Sequence, residues 1–494
     1  LQLESLLAPV LLKNITGSID GIEISQITAD SRKVTPGSLF VALQGNTVDG
    51  HHFVPQAIER GAAAVVVEKQ LANLPVPQVI VKNTRDIIPI LAAKFYNHPS
   101  KSMKVIGVTG TNGKTTVTHL IDQILSDQGR RTGLIGTIKK RIGGQTFDVA
   151  NTTPEALELQ ETFHQMKEVG TEYAIMEVSS HALELKRVAG TEFRTAVFTN
   201  LTQDHLDFHG SMDEYRAAKG KFFARLGNTY GDRPEDNRYV VINADDPSAD
   251  FFIRQTVAQV ITYGIDRAAD VRAVNVRIEA EGASFTLHSF AGTADVRLQV
   301  TGKFSVYNAL AAAAACLCEG VPLAAIKASL ESVRGVDGRF ERVVAGQDFT
   351  VIVDYAHTPD SLENVLKTIR EFATGKVYTV VGCGGDRDRG KRPQMARIAV
   401  EYSDLAILTS DNPRTEDPER ILDDMEAGLA DVFRDRYVRL TDRTEAIRHA
   451  IRQATAGDVV LIAGKGHETY QIIGTTKYHF DDREIAAKVI RGEL

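Results

Sequence analysis

Residues 105–120 read VIGVTGTNGKTTVTHL, an apolar run that breaks into glycine-rich backbone before a lysine and two threonines. Glycines let consecutive N–H groups turn into one concavity, and a helix that starts there adds about half a positive charge at its N-terminus. Together these features hold phosphate. Lys114 is placed to reach the β/γ-phosphates, and the Thr115 hydroxyl to bind Mg²⁺. The strict GxxxxGK[ST] spacing fails at one place, because Val108 stands where the first glycine belongs, with Gly107 and Gly110 beside it. The strand–loop–helix order is intact. The segment is a variant P-loop and predicts a nucleoside triphosphate site.

Such a site needs a metal-holding carboxylate on a neighbouring strand. EYAIMEVSSH offers Glu177 at the end of an apolar run, followed by Ser179, Ser180 and His181. Further on, a loop holds Asp204, His205, Asp207 and His209, and Ser211 with Glu214 three residues later gives the capping-box pattern of a helix start. Lys219 falls inside that helix beside Ala217, Ala218 and Gly220. Spacing alone makes it a solvated helix lysine. A hydrolase or motor needs a water-positioning residue, whereas a ligase needs a second cation position between ATP and an acyl group. These residues leave both open.

A third segment, TSDNPRTED from Thr409 to Asp417, follows the apolar run LAILTS. Loops at the carboxyl ends of parallel strands are where α/β proteins bind ligands. Arg414 stands there among acids and a proline. On this stretch alone the ordinary reading is a surface arginine paired with Glu416 or Asp417. The alternative is an arginine that awaits a carboxylate from a ligand. Nearby, Gly382, Gly384 and Gly385 in GCGGDRDRG do not make the GxGxxG of a dinucleotide site.

Positioning these segments takes more than one core. The chain has 494 residues, so about three domains are expected. We place boundaries to give 1–101, 102–335 and 336–494, at the polar connector YNHPSKSMK and at the turn-rich VRGVDGRFERV. The first is a small α/β unit. The middle alternates strands and helices around the P-loop, then turns β-rich from Val271 to Val300 and continues into an alanine-rich helix. The last carries four strand-then-polar-loop units, typical of a doubly wound, Rossmann-like sheet. The expected fold class is therefore α/β, with a mostly parallel central sheet. A 43% hydrophobic, 24% charged composition and a net charge of -7 fit a soluble globular protein, with no nucleic-acid surface and no membrane insertion. Three cysteines without paired spacing suit a reducing cytoplasm and predict neither disulfides nor a zinc site. No signal peptide is expected from LQLESLLAPVLL.

The ordered set GTNGKTT, MEVSSH, NLTQDHLDFH, AAK, VDYAHTPDSLE, GCGGDRDRGKRP, DNPR and AGKGHE, with TADSR near the start, closely resembles the Mur ligase family along essentially the whole chain. Within that family it resembles most the branch that adds diaminopimelate. The resemblance implies an ATP- and Mg²⁺-dependent amide ligase of peptidoglycan precursor synthesis. It would act on UDP-N-acetylmuramoyl-L-alanyl-D-glutamate through an acyl phosphate, with meso-diaminopimelate as the incoming amino acid and L-lysine as the alternative.

By the family pattern, Gly110, Thr111, Asn112, Gly113, Lys114, Thr115 and Thr116 hold the ATP phosphates, and Asn308, Arg339 and Asp354 lie around its base and ribose. Thr115, Glu177 and His205 would serve the metal positions, and Lys219 matches a lysine that is carbamylated in this family. Ser31 matches the uridine end, and Asn151, Thr152, Thr153, Ser179 and Arg187 match contacts to the sugar and peptide. Arg387, Asp411, Asn412, Pro413, Arg414, Gly464 and Glu468 would read the far end of diaminopimelate. Two departures are visible. Ser305 stands where the family often has asparagine, and Leu185 where some members carry glutamine.

Overall fold

The computed structural model describes residues 1–45, 48–279, 281–429 and 433–494, with the backbone alone at Asp207. Among the described residues three large sheets follow one another along the chain, with a two-stranded ribbon, Tyr470–Ile473 and Thr476–His479, near its end. The first has five strands, ordered Asn14–Thr16, Gln78–Ile80, Ala62–Val67, Ser38–Val41 and Gln26–Thr28. All of its pairings are parallel except that of the first strand.

The second sheet has eleven strands. Its middle is parallel, and Lys104–Thr109 lies between Tyr173–Glu177 and Phe193–Phe198. These three strands read as nearly unbroken apolar runs because helices cover both faces. Their register places Glu177 beside Val108 and Phe198 beside Thr109, so three strand ends finish level with the phosphate loop. The β-rich stretch forms an antiparallel edge, Val271–Glu279, Gly282–Ser289 and Gly292–Leu298. The alanine-rich helix Lys303–Cys318 is apolar on every side and buries Ala311 to Ala315 completely. A helix of that kind belongs inside a protein. Its small side chains let it pack between the sheet and the helix Lys114–Asp127 that opens at the P-loop.

The third sheet runs Glu341–Arg342, Thr350–Asp354, Val459–Ala463, Val377–Cys383, Leu405–Ser410, Tyr437–Arg439. Only the first strand is antiparallel. Asp354 pairs with Ala463 and Cys383 with Ser410, so the loops that begin at Tyr355, Gly384, Asp411 and Gly464 leave the same edge. Beneath that edge the wholly buried Arg443 pairs with Asp482 at 2.7 Å and donates to the carbonyls of Ala463 and Ser410. Among the described residues no helix is long and apolar enough to cross a membrane. The three cysteines are free and buried.

Candidate active site

The phosphate loop is shaped by two glycines that no other residue can replace. Gly110 has φ +149°, and a Cβ there would lie 1.9 Å from Thr199 Oγ1. Gly113 has φ +85°, and its Cβ would lie 2.5 Å from Asn308 Oδ1. The loop is braced from behind by the strand end after Phe198: Asn200 accepts from the Asn112 N–H at 2.9 Å, and the Thr199 hydroxyl donates to the Asn112 carbonyl at 2.6 Å. Thr111 is buried with its hydroxyl 3.1 Å from Tyr215 OH, and Thr116 follows in the first helical turn.

Lys114 donates to the carbonyls of Gly110 at 3.0 Å and Thr111 at 2.7 Å. Lys219 donates to the same Gly110 carbonyl at 3.0 Å, across the Tyr215 ring. Lys219 is only 1% exposed, so the solvated helix lysine suggested by spacing alone is wrong. Tyr215, Phe222 and Phe223 turn its helix face inward, a tertiary effect invisible in the local pattern. Burial, and then the Lys114 charge, hold the Lys219 amine well below the usual lysine range. Burial also lowers the pKa of Lys114.

Glu177 is fully buried at its strand end. Its carboxylate accepts from the Thr137 N–H at 2.7 Å and the Thr137 hydroxyl at 3.1 Å, while Gly136 leaves it room. His205 adopts a left-handed backbone, with Nε2 3.2 Å from Asp204 and its ring against His181. Burial brings its pKa down to about 4, against the opposing pull of Asp204, so the imidazole is neutral near pH 7. His209 is buried with Nε2 2.9 Å from Ser180 Oγ, and the Asp207 side chain lies outside the described residues. Ser211 caps the helix by accepting from the Glu214 N–H at 3.2 Å, one half of the expected capping box.

Arg339 arrives from the third unit. Its Nη2 donates to Thr115 Oγ1 at 3.1 Å, and its guanidinium lies 4.7 Å from the Tyr355 ring centre. Asp354 accepts from the Phe340 N–H at 2.6 Å, and burial raises its pKa. Asp360, at the start of the helix Pro359–Phe372, accepts from Asn112 Nδ2 at 2.8 Å and from the Thr202 hydroxyl at 2.6 Å. That second link between the phosphate loop and the last unit had no sequence signal beyond its place after a helix cap.

The residues matched to the sugar and peptide divide into two places. Thr153 is buried; its hydroxyl donates to the Glu177 carbonyl at 2.8 Å and accepts from the Ser179 N–H at 3.1 Å. Arg187 donates to the Thr153 carbonyl and pairs with Glu155 at 2.8 Å. Thr152 reaches Thr137 at 3.1 Å, and Asn151 is exposed. Ser31 lies apart in the first unit, its hydroxyl donating to Gln56 at 2.7 Å.

In the third unit the ordinary pairing of Arg414 does not occur. Glu416 is held by Arg392, with contacts at 2.8 and 3.0 Å, and Asp417 caps the next helix through the Glu419 N–H. Arg414 instead donates from Nη1 to the Gly385 carbonyl at 2.8 Å and, among the described residues, has no carboxylate partner. Its backbone is left-handed and is pinned by Ile472 and Gly474. A Cβ on Gly384 would lie 2.9 Å from Arg414 Nη1 and 3.7 Å from Arg387 Cγ, so both arginines flank that glycine. Asn412 donates to Glu468 at 2.9 Å and accepts from the buried Lys465 at 3.0 Å. Pro413 is buried beside them. Gly464 has φ +114°, and its Cβ would lie 2.7 Å from Asp411 Oδ2. Burial, and then the nearby Asp411, raise the pKa of Glu468. The result is a partly buried arginine, a buried Asp411 and a partly buried Glu468 at one sheet edge, with Lys465 and Arg392 as supports that sequence reasoning missed.

Family models match three stretches: a Mur ligase family catalytic domain over residues 23–96, a Mur ligase middle domain over 108–316, and a Mur ligase glutamate ligase domain over 338–466. The chain is 54% identical over 472 residues to a UDP-N-acetylmuramoyl-L-alanyl-D-glutamate–2,6-diaminopimelate ligase of Bacillus cereus, covering 96% of this chain and 95% of that one. It is 51% identical to the protein of the same name from Oceanobacillus iheyensis, with 99% of each covered. A solved structure bearing that name aligns with a TM-score of 0.66 at 35% identity over 95% of both chains. A MurF ligase from Thermotoga maritima in complex with ADP shares the fold, with a TM-score of 0.64 at 18% identity, over 95% of this chain and 98% of that one.

Proposed function

The chain belongs to the Mur ligase family of ATP-dependent amide ligases, and from that premise we propose that it joins meso-2,6-diaminopimelate to UDP-N-acetylmuramoyl-L-alanyl-D-glutamate in peptidoglycan precursor synthesis. The observation that carries this reading is Arg414, partly buried at a ligand-binding sheet edge with its neighbouring carboxylates already engaged. Diaminopimelate ends in a carboxylate and an ammonium, and lysine in an ammonium alone. Arg414 meets the carboxylate through two parallel hydrogen bonds, and Glu468 accepts from the ammonium. Lysine would leave Arg414 without a carboxylate and forgo about 1.5–3 kcal/mol of charge-assisted hydrogen bonding. Lysine is therefore the weaker reading. Arg414→Ala is expected to lower kcat/KM for diaminopimelate by about 10- to 150-fold while ATP still binds. Unchanged diaminopimelate use by that variant removes the assignment.

The first unit, 1–101, would take the uridine end through Ser31, the second, 102–335, ATP, and the third, 336–494, the amino acid. The substrate carboxylate attacks the γ-phosphorus and ADP leaves. The amine of diaminopimelate then attacks the acyl carbon and releases phosphate. The work of the protein is to position charges and neutralise them. Lys114 exchanges its two loop carbonyls for phosphate oxygens, and Arg339 shifts from the Thr115 hydroxyl to the nucleotide.

The donor set suits Mg²⁺. A threonine hydroxyl and a buried carboxylate are hard oxygen donors, and Mg²⁺ takes few protein ligands where phosphates supply the rest. Among the described residues no larger cluster of His, Cys, Asp or Glu competes for it. Thr115 and Glu177 would hold it, with neutral His205 at a second position. Bound there, Mg²⁺ offsets the charge that builds on the phosphate oxygens.

Lys219 and Lys114 share one carbonyl, and two ammonium ions so placed repel. Addition of CO₂ to the neutral Lys219 amine, with loss of a proton, replaces that repulsion with an anion facing the metal positions. Protein equilibrated with [13C]bicarbonate should give a carbamate carbon signal that is missing in Lys219→Ala. A wild-type spectrum without the signal would rule the modification out. ATP as co-substrate supports a cytoplasmic location.

A further inference from the structure

Arg414 is left without an acid although Glu416 lies two residues away. The reason is another arginine. Arg392, wholly buried in the helix Lys391–Tyr402, grips Glu416 with both ends of its guanidinium, Nη2 to Oε1 at 2.8 Å and Nη1 to Oε2 at 3.0 Å. Nη1 also donates to Asp424 at 2.8 Å and Nη2 to the Gly384 carbonyl at 3.2 Å. Glu416 accepts as well from the Asp386 N–H at 2.6 Å, and Thr415 donates to the Asp386 carboxylate. The two loops that carry Arg387 and Arg414 are thus laced to one buried cation.

Glu416 is close enough to Arg414 to matter. Gly385 touches both: its carbonyl accepts from Arg414 Nη1 at 2.8 Å, and a Cβ on it would lie 3.3 Å from Glu416 Cβ. A carboxylate freed from Arg392 would lie across Gly385 from Arg414, whose guanidinium has no carboxylate partner among the described residues. A two-pronged charge pair at a buried arginine outcompetes a single contact at a partly exposed one.

We propose that Arg392 is a specificity-determining positioning residue, which captures Glu416 so that Arg414 stays available to the far carboxylate of the incoming amino acid. The proposal rests on the reading of Arg414 given above. It explains why Arg414 and Glu416, two residues apart, do not pair with each other. It also assigns a function to an ion pair that would otherwise pass as loop bracing.

The test is steady-state kinetics on the full chain with ATP, UDP-N-acetylmuramoyl-L-alanyl-D-glutamate and diaminopimelate. Arg392→Met should raise the KM for diaminopimelate about tenfold or more, with kcat at saturation and the KM for ATP nearly unchanged. Glu416→Gln alone should leave the diaminopimelate KM as it is. The double variant Arg392→Met/Glu416→Gln should recover it, because the Glu416 carboxylate is gone and Asp424 keeps Arg389 as its partner. A merely structural Arg392 gives no such rescue, so a double variant as impaired as Arg392→Met overturns the proposal. If Arg392→Met does not fold, Arg392→Lys keeps the charge without the fork and should raise the same KM by a smaller factor, again relieved by Glu416→Gln; an unchanged KM, or no relief, overturns the proposal there too. Arg414→Ala assayed alongside separates the two ideas. A normal Arg414→Ala removes the parent reading and this proposal with it, whereas a defective Arg414→Ala beside a normal Arg392→Met removes this proposal alone.

Discussion

At the scale of single residues, the site is governed by which charges are left unsatisfied. Glu468 is an acid whose pKa is raised by burial and by Asp411. A raised acid is costly to the fold as a carboxylate, so protonating it takes no stability away. On the proposed reading, what protonation removes is the partner for a substrate ammonium. The KM for diaminopimelate should therefore be flat on the alkaline side and rise as pH falls through the raised Glu468 pKa. Glu468→Gln should have a high KM without that acid limb. A wild-type KM that stays constant on acidification would exclude Glu468 from the ammonium site. Residue types at fixed spacing made much of this legible: glycines and Lys114 in one loop, Glu177 at a strand end, Arg414 among acids. Partners brought from afar were not legible. Nothing near Glu416 says that Arg392, 24 positions earlier, will claim it, and nothing near Glu177 points to Thr137.

At the scale of elements, function depends on strand ends finishing level. The apolar runs predicted the strands because strands buried on both faces have little room for polar residues. They could not give the strand order, which places Lys104–Thr109 between Tyr173–Glu177 and Phe193–Phe198 and so brings Glu177 to the phosphate loop. In the third sheet, the Arg443–Asp482 pair fixes the helices Arg443–Gln453 and Asp482–Ile490 beneath the edge that carries Asp411 and Gly464. Removing one member leaves the other charge buried alone. Arg443→Met should cost about 3–5 kcal/mol in urea unfolding. A loss within about 0.5 kcal/mol would mean that the pair does not secure that edge.

At the scale of the whole molecule, the last unit meets the central one at the phosphate loop. Arg339 and Asp360 reach it from the last unit, and Lys186 pairs with Asp86 of the first. The connectors in the sequence suggested where units divide, but contacts between the sheets depend on how folded surfaces meet and had no local signature. On the proposed reading, ATP, the nucleotide-linked peptide and the amino acid meet where the units do. ATP turnover should therefore depend on all three. The measurement that tests this most directly is phosphate release from ATP and Mg²⁺ with UDP-N-acetylmuramoyl-L-alanyl-D-glutamate, supplied with meso-diaminopimelate, L-lysine or neither, with the product weighed by mass spectrometry. The account predicts release and a diaminopimelate-extended product with the first alone. Release without any amino acid, or a lysine-extended product at comparable rate, would contradict it.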